Sequence, residues 1–282
     1  MLKKHFPICI PIRTTAPYPY KDDVNLDCLK LLTNTFKKNN VPLTDCIIIL
    51  DGRGYEIFSL AQKLGYENFY VQDYASIDDL QEQNKYVSEW TAITDMLNNM
   101  CLRDKVYSEY YNGENINRKP FIFDFDFSHV FVAQISSPFK SFKFMEEVSF
   151  WKIWEQMDKE NISFLTSASY IKDMSMFYIN NAVCFQKSTF SDDYFTEGTI
   201  RNINKCPKEL YCNNVWYFIN TDFLKNKVVT AHGIKQTRDD QYLNFWNESN
   251  FSVIVDNTQP QIFINNNDDF KKLKQIVKLC NI

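Results

Sequence analysis

The stretch that decides the fold is VFVAQISSPF, Val130–Phe139. Its first part, VFVA, is apolar without alternation, which is typical of a strand covered on both faces, as in the centre of a parallel sheet. Pro138 cannot donate to a sheet and biases the preceding residue towards extended backbone, so we expect the strand to end before it. Gln134 and Ser136 then follow the carboxyl end of a central strand, where open α/β sheets bind ligands. An ordinary strand and turn is the alternative that this stretch alone leaves open.

Apolar runs and amphipathic segments alternate on the amino-terminal side of this stretch. The predicted strands are residues 6–12, 45–51 and 66–72, and the predicted helices are residues 26–38, 55–64 and 88–100. Gly65 follows the second of these helices and is a natural helix C-cap. Alternating strands and helices indicate a parallel sheet with helical crossovers.

The carboxyl-terminal side continues with further short elements. We predict a helix at residues 144–159, a strand pair at 161–170 and 176–185, strands at 215–219, 251–255 and 261–264, and a closing helix at 268–279. There is no internal repeat and no low-complexity linker. We therefore expect one domain over residues 1–282, an α/β fold with a mainly parallel, Rossmann-like sheet and helices on both faces.

The composition excludes several classes of protein. A chain of 282 residues that is 45% hydrophobic has enough apolar side chains for a sizeable core, and its net charge of −4 favours neither nucleic acid nor a membrane surface as a partner. Its 8 cysteines form no C-x-x-C pair, and its 3 histidines lie far from any cysteine pair, which indicates free thiols in a reducing compartment and no zinc site. No run approaches the roughly 20 apolar residues of a membrane span, and no signal peptide is visible, so we expect a cytoplasmic protein.

Several short motifs, taken in chain order, resemble the acylneuraminate cytidylyltransferase family, of which this chain looks like a divergent member. The motifs are IPIR (10–13), PYK (19–21), IIILDGRGYEIFSLAQKLG (47–65), AQISSP (133–138), NNVWYF (213–218) and IFINNNDDF (262–270). In the family, AQISSP corresponds to L-Q-P-T-S-P and NNVWYF to N-G-A-I-Y-I. The resemblance spreads over almost the whole chain, from about Phe6 to the carboxyl terminus.

This resemblance implies a sheet of the nucleotide-diphospho-sugar transferase type and a specific activity. A CMP-sugar synthetase joins the nucleoside monophosphate part of CTP to an acidic, sialic acid-like sugar and releases pyrophosphate, and the family also implies a homodimer. By correspondence with the family motifs, Arg13 and Lys21 would face the phosphates as catalytic residues and Ser88 would contact the base. Gln134, Ser136, Asn213 and Tyr217 would complete the cleft, with Gln134, Asn213 and Tyr217 nearer the sugar.

The sequence departs from the family where the phosphates and the metal would bind. The family's glycine-rich phosphate loop is TTAPYPY here, with prolines and no glycine, and its magnesium motif I-D-I-D is Ile262–Asn265. Mg²⁺, if the protein is active, would therefore need other ligands, because Phe263 cannot bind a hard cation. Asp268 and Asp269 are the nearest candidates, and Asp124 and Asp126 are the alternative.

Two other functions remain open at this point. DFDF, Asp124–Phe127, has the D-x-D spacing of metal-dependent glycosyltransferases, although a loop leading into the central strand would give the same pattern. The chain could also be a catalytically inactive relative that binds a nucleotide, a sugar or a protein partner.

Overall fold

The computed structural model describes residues 4–12, 22–51, 55–72, 89–99, 121, 123–135, 138, 150–170, 184–186, 210–228, 251–255, 271 and 274–275. The strands are β1 (Ile8–Ile12), β2 (Cys46–Asp51), β3 (Asn68–Gln72), β4 (His129–Ala133), β5 (Phe164–Tyr170), β6 (Cys184–Gln186), β7 (Leu210–Asn220) and β8 (Phe251–Val255). The helices are α1 (Asp22–Lys38), α2 (Tyr55–Leu64), α3 (Glu89–Asn99) and α4 (Phe150–Glu160), with a 3₁₀ turn at Leu43–Asp45 and helical turns at Thr221–Phe223 and Leu224–Val228.

These strands form one sheet in the order β3-β2-β1-β4-β7-β5-β8, with β6 paired to β7. Parallel pairs join β1 to β2, β2 to β3, β1 to β4 and β5 to β8, whereas β7 is antiparallel to β4, β5 and β6. The predicted α/β fold with a mainly parallel sheet is confirmed. So is the position of the central strand, because β4 lies in mid-sheet directly beside β1.

Helices cover both faces of this sheet, and the strand sequences show why. On β4, Phe131 and Ala133 belong to the large core cluster that α1, α2 and α4 share, while Val130 and Val132 are also buried but lie outside that cluster. Since side chains alternate along a strand, the two pairs face opposite sides of the sheet. Helix α3 contacts β1, β2 and β3 on the second side. We call the two sides the α1 face and the α3 face.

The structure corrects one pairing. Residues 161–170 and 176–185 were expected to pair with each other, but β5 pairs with β7 and β8, and β6 pairs with β7. Local alternation predicts strands but carries no information about their partners. The predicted strand at 261–264 lies outside the described residues, and of the closing helix the structure describes Lys271, Lys274 and Gln275, all helical.

Three helices end in the same way. After α2, the Gly65 N–H donates to the Gln62 carbonyl at 3.1 Å and the Tyr66 N–H to the Ala61 carbonyl at 3.0 Å, with Gly65 at φ +102°. This is a Schellman motif, in which a residue of positive φ reverses the chain and satisfies the last carbonyls. Asn40 and Asn161, at φ 55° and 53°, end α1 and α4 with the same pair of bonds.

Cys9, Cys28 and Cys46 are free and buried. Burial raises the pKa of the Cys28 thiol to about 12, and Asp27 adds to the rise. These thiols therefore behave as small apolar core residues. No helix in the described part of the chain is long and apolar enough to cross a membrane.

Replacing Gly65 by Ala is expected to lower the free energy of unfolding by about 1 kcal/mol, because an L residue is strained at positive φ. The added Cβ would lie 3.7 Å from Leu43 Cδ1, an ordinary contact, so the loss reports backbone strain and not a clash. Urea unfolding with an unchanged m-value measures it. Gly65→Asn is the matched control and should lose clearly less, because Asn tolerates this conformation. Equal losses for the two variants would contradict the interpretation.

Candidate functional site

The carboxyl ends of four parallel strands meet at one edge of the sheet. The register places Ile12, the last residue of β1, opposite Leu50, and Asp51 opposite Gln72. On the other side of β1, Ile8 pairs with Phe131, so the same register carried forward brings Ile12 level with residue 135. The segment after β4 therefore lies at this edge, which we call the carboxyl edge.

Gln134 is the first residue beyond β4 and is half-buried, between the buried Ala133 and Ile135. Ala133 and Ile135 both belong to the core cluster of the α1 face. Alternation therefore directs the Gln134 side chain to the α3 face, next in line after Val132. An amide at this point offers both a donor and an acceptor at the carboxyl edge.

Strand β7 carries the sheet past this edge. Ala133 pairs with Trp216, so the residues of β7 before Trp216 continue beyond the end of β4 and pair with β5 and β6. The register with β5 breaks between Thr166 and Ala168, because Thr166 pairs with Tyr217 whereas Ala168 pairs with Asn213. The extra β7 residues make an irregularity of the β-bulge type, which we call the bulge, and such irregularities often re-aim side chains near functional sites. The backbone of Asn213 lies just past this bulge, above the carboxyl edge.

Tyr217 lies lower on the same sheet. Tyr217 pairs with Val132, and the neighbouring pair in the ladder is Phe218 with Phe131. Its side chain is 7% exposed, and its ring lies 5.3 Å from the ring of Phe164. Val132 and Gln134 share the α3 face, and Tyr217 pairs with Val132. The Tyr217 side chain therefore lies on the α3 face, one step below Gln134.

The segment after β4 is tied to helix α1 through Thr35, a residue that the sequence-based prediction of the site did not include. Pro138 is buried, and its carbonyl accepts a hydrogen bond from the Thr35 hydroxyl of α1 at 2.9 Å. We call the described residues Gln134, Ile135 and Pro138 the elbow. The available signal was a threonine on the apolar side of a helix beside Phe36, which indicates a hydroxyl that needs a buried partner.

Several predicted site residues lie outside the described residues. They are Arg13, Lys21, Ser88, Ser136, Asp268 and Asp269. Their assignment to the cleft and to Mg²⁺ stays a prediction. Among the residues that the structure describes, no group of three or more His, Cys, Asp or Glu side chains could hold a metal ion.

Asp124 and Asp126 lie at the opposite, amino edge of the sheet. The His5 N–H donates to the Asp124 carbonyl at 2.7 Å and the Asp126 N–H donates to the His5 carbonyl at 3.1 Å, just before β1 begins. The Asp126 carboxylate accepts a bond from the Ser128 N–H at 3.0 Å, which closes the turn into β4. Strand β4 separates this turn from Gln134 by roughly 16 Å. The pattern DFDF thus serves the loop into the central strand, and these carboxylates are remote from the carboxyl edge.

A buried histidine lies at this amino edge. His129 is 2% exposed, its Nε2 lies 3.7 Å from the Asp158 carboxylate, and its ring meets that of Trp154 edge-on at 6.0 Å. Burial lowers the pKa of the His129 imidazole, and the carboxylates of Asp158 and Asp126 partly offset this. The imidazole is therefore neutral in the folded protein at neutral pH.

The free energy of unfolding is expected to fall as the pH falls below about 6.5, since the unfolded chain then protonates His129 whereas the folded protein does so only at lower pH. The His129→Gln variant should show a shallower fall. Asp158→Asn, which removes a carboxylate that favours the charged ring, should show a fall at least as steep as the parent. Urea titrations at about pH 7.5 and about pH 5.5 measure these differences. An unchanged fall in His129→Gln would contradict the assignment.

Solved structures share this fold. CMP:2-keto-3-deoxy-manno-octonic acid synthetase, complexed with CTP, superposes with a TM-score of 0.59 over 98% of this chain and 99% of its own, at 12% sequence identity. HddC from Yersinia pseudotuberculosis, complexed with GMP-PN, superposes with a TM-score of 0.50 over 96% of this chain and 99% of its own, at 11% identity. No protein-family model and no curated protein sequence matches the chain. At such low identity the likeness establishes the fold, and function must be argued from the site.

Proposed function

We propose that this protein is a nucleotidyltransferase of the CMP-sugar synthetase type, which joins the CMP part of CTP to an acidic sugar and releases pyrophosphate. The observation that carries the proposal is the elbow, whose Gln134 lies at the carboxyl edge of a sheet that matches a CTP-complexed synthetase over nearly its full length. In open α/β sheets this is the edge at which ligands bind.

The reaction requires an oxygen of the sugar to attack the α-phosphorus of the nucleotide while pyrophosphate leaves. The work of the protein is to hold both substrates in line and to stabilise the charge on the phosphates. Arg13 and Lys21 are the cations proposed for the phosphates, and Ser88 is proposed for the base. Gln134, with Asn213 beyond the bulge and Tyr217 beneath, is proposed to hold the sugar, and Ser136 is proposed for the same cleft.

Mg²⁺ would neutralise the charge of the triphosphate when bound. Asp268 and Asp269 are the proposed ligands. The alternative pair, Asp124 and Asp126, lies at the amino edge, where the Asp126 carboxylate closes the turn into β4, so this position does not favour the glycosyltransferase function that would use the pair. An inactive relative that binds nucleotide without turnover stays an outcome of the test, because the chain has no glycine between Arg13 and Lys21.

The test is pyrophosphate release by the purified chain with Mg²⁺. CTP, UTP, GTP and ATP are each combined with 2-keto-3-deoxy-manno-octonic acid, N-acetylneuraminic acid and other acidic sugars. Release that requires one nucleotide, one sugar and the metal together would support the proposal and would identify both substrates. Nucleotide binding without release would assign an inactive relative. Neither binding nor release with any pair would overturn the proposal.

Gln134→Ala is expected to lower kcat/KM for the acidic sugar by roughly tenfold to a hundredfold, because a hydrogen bond to a charged group contributes about 1.5–3 kcal/mol. Gln156→Ala is the matched control, since Gln156 is exposed on α4 and bonds Glu160. The control should retain the activity of the parent. Initial rates at several sugar concentrations separate KM from kcat, and equal activity of the two variants would exclude Gln134 from the site.

Asp268→Asn combined with Asp269→Asn is expected to abolish metal-dependent release, because neutral amides are much poorer ligands than carboxylates for Mg²⁺. The matched control combines Asp124→Asn with Asp126→Asn. An Asn at position 126 still offers an oxygen to the Ser128 N–H, so this control should fold and turn over like the parent. If instead the control loses activity and the first double variant keeps it, the metal site is the other pair.

A further inference from the structure

We propose that Thr35 is a positioning residue, which sets the place of Gln134 by fixing the far end of the elbow. The inference rests on the proposed function, because it assigns Thr35 to the sugar-binding side of that site. Thr35 touches no substrate and acts only through the elbow. The link is long in sequence, since Thr35 and Pro138 are 103 residues apart.

The geometry of the link makes it specific. Thr35 is 8% exposed, and its hydroxyl lies 2.9 Å from the Pro138 carbonyl and 3.0 Å from the Leu31 carbonyl, one turn back in α1. A hydroxyl has a single hydrogen to donate, and both neighbours are acceptors. The bond to Leu31 is local to the helix, whereas the bond to Pro138 joins two distant segments. Without the hydroxyl, the buried Pro138 carbonyl would lose this donor, which is unfavourable in an apolar setting.

The elbow is thereby held on both sides of Gln134. Before it, Ala133 pairs with Trp216 in the ladder between β4 and β7. After it, Ile135 is buried in the core cluster and Pro138 is bonded to α1. Gln134 is the half-buried side chain between these attachments, so its direction follows from where they lie. A misplacement of about 1 Å in a binding group is enough to lower a reaction rate strongly.

Helix α1 is a firm attachment point. Leu32 and Phe36, on either side of Thr35, are fully buried in the core cluster of the α1 face. The helix ends at the Schellman motif of Asn40, where the Val41 N–H donates to the Phe36 carbonyl at 2.9 Å. A displacement of Thr35 would therefore require the helix to move with its core contacts.

The same helix supplies a matched control. The Thr33 hydroxyl is likewise buried, donates to the Leu29 carbonyl at 2.7 Å and lies 2.8 Å from the Tyr66 hydroxyl. Thr33 and Thr35 thus each bond the carbonyl four residues back and one partner outside the helix. Only the partner of Thr35 is in the elbow. Thr33→Val and Thr35→Val remove the same group from the same helix, and Thr35→Ser restores the hydroxyl.

The experiment compares the parent with these three variants as full chains. Hydrogen exchange is followed on a peptide that covers residues 130–140, and pyrophosphate release is measured with the nucleotide and acidic sugar that the substrate screen selects. In Thr35→Val, the elbow amides should exchange faster and KM for the sugar should rise roughly three- to tenfold, the effect of one lost hydrogen bond, with KM for the nucleotide within about twofold. Thr35→Ser should restore both values, and Thr33→Val should change neither.

The two arms separate the possible failures. If the parent neither binds nor turns over any nucleotide, the proposed function fails, and the exchange arm alone still decides whether Thr35 holds the elbow. Unchanged exchange of the elbow in Thr35→Val would overturn the inference, whatever the activity. So would an equal rise of exchange and KM in Thr33→Val, because that would report a general loosening of α1.

Discussion

The burial of β4 on both faces is the constraint on which the rest of the structure depends. On the α1 face, the ring of Phe131 lies 4.7 Å from Phe218, 5.0 Å from Phe150 and 5.5 Å from Trp216, between ring centroids. Burying one such side chain contributes roughly 1.5–3 kcal/mol, so this cluster stabilises the contact of α4 and β7 with the central strand. β1 and β7 pair with the two sides of β4, and the chain leaves this strand at the carboxyl edge through the elbow.

The antiparallel β7 extends the sheet beyond this exit. A parallel neighbour that began level with β4 would also end level with it. β7 runs the other way: it begins beyond the carboxyl edge, and its last residue, Asn220, pairs with His129. Its first residues therefore rise above Gln134, joined there by β6 and the end of β5. The bulge opposite Thr166 breaks the regular alternation at that level. β7 thus places Tyr217 next to Val132, below Gln134, and places its own earlier residues beyond the elbow.

The strands and helices that depend on a local sequence pattern could be predicted. The central strand could be predicted because VFVA does not alternate, and α2 because its apolar stripe ends at Gly65, which takes the positive φ that its C-cap requires. The pairing of β5, β6 and β7 was not accessible. Only residues 215–219 of β7 are apolar enough to be recognised, and the earlier part of that strand pairs with β5 and β6. The partners of β5 and β6, and the bond from Thr35 to the elbow, join segments far apart in sequence.

The polar residues at the two edges of the sheet have different surroundings. A sequence motif alone does not show at which edge its residues lie. At the amino edge, His5 bonds Asp45 at 2.6 Å and Asp126 closes a turn, so the polar groups there satisfy one another and the backbone. At the carboxyl edge, Gln134 stands between two buried apolar neighbours, where an amide gains nothing from the core. A half-buried amide at that position can donate to and accept from water or a ligand at the surface. The D-x-D pattern is equally visible in the sequence, but only the topology reveals that it lies at the edge where structural needs already account for the carboxylate of Asp126.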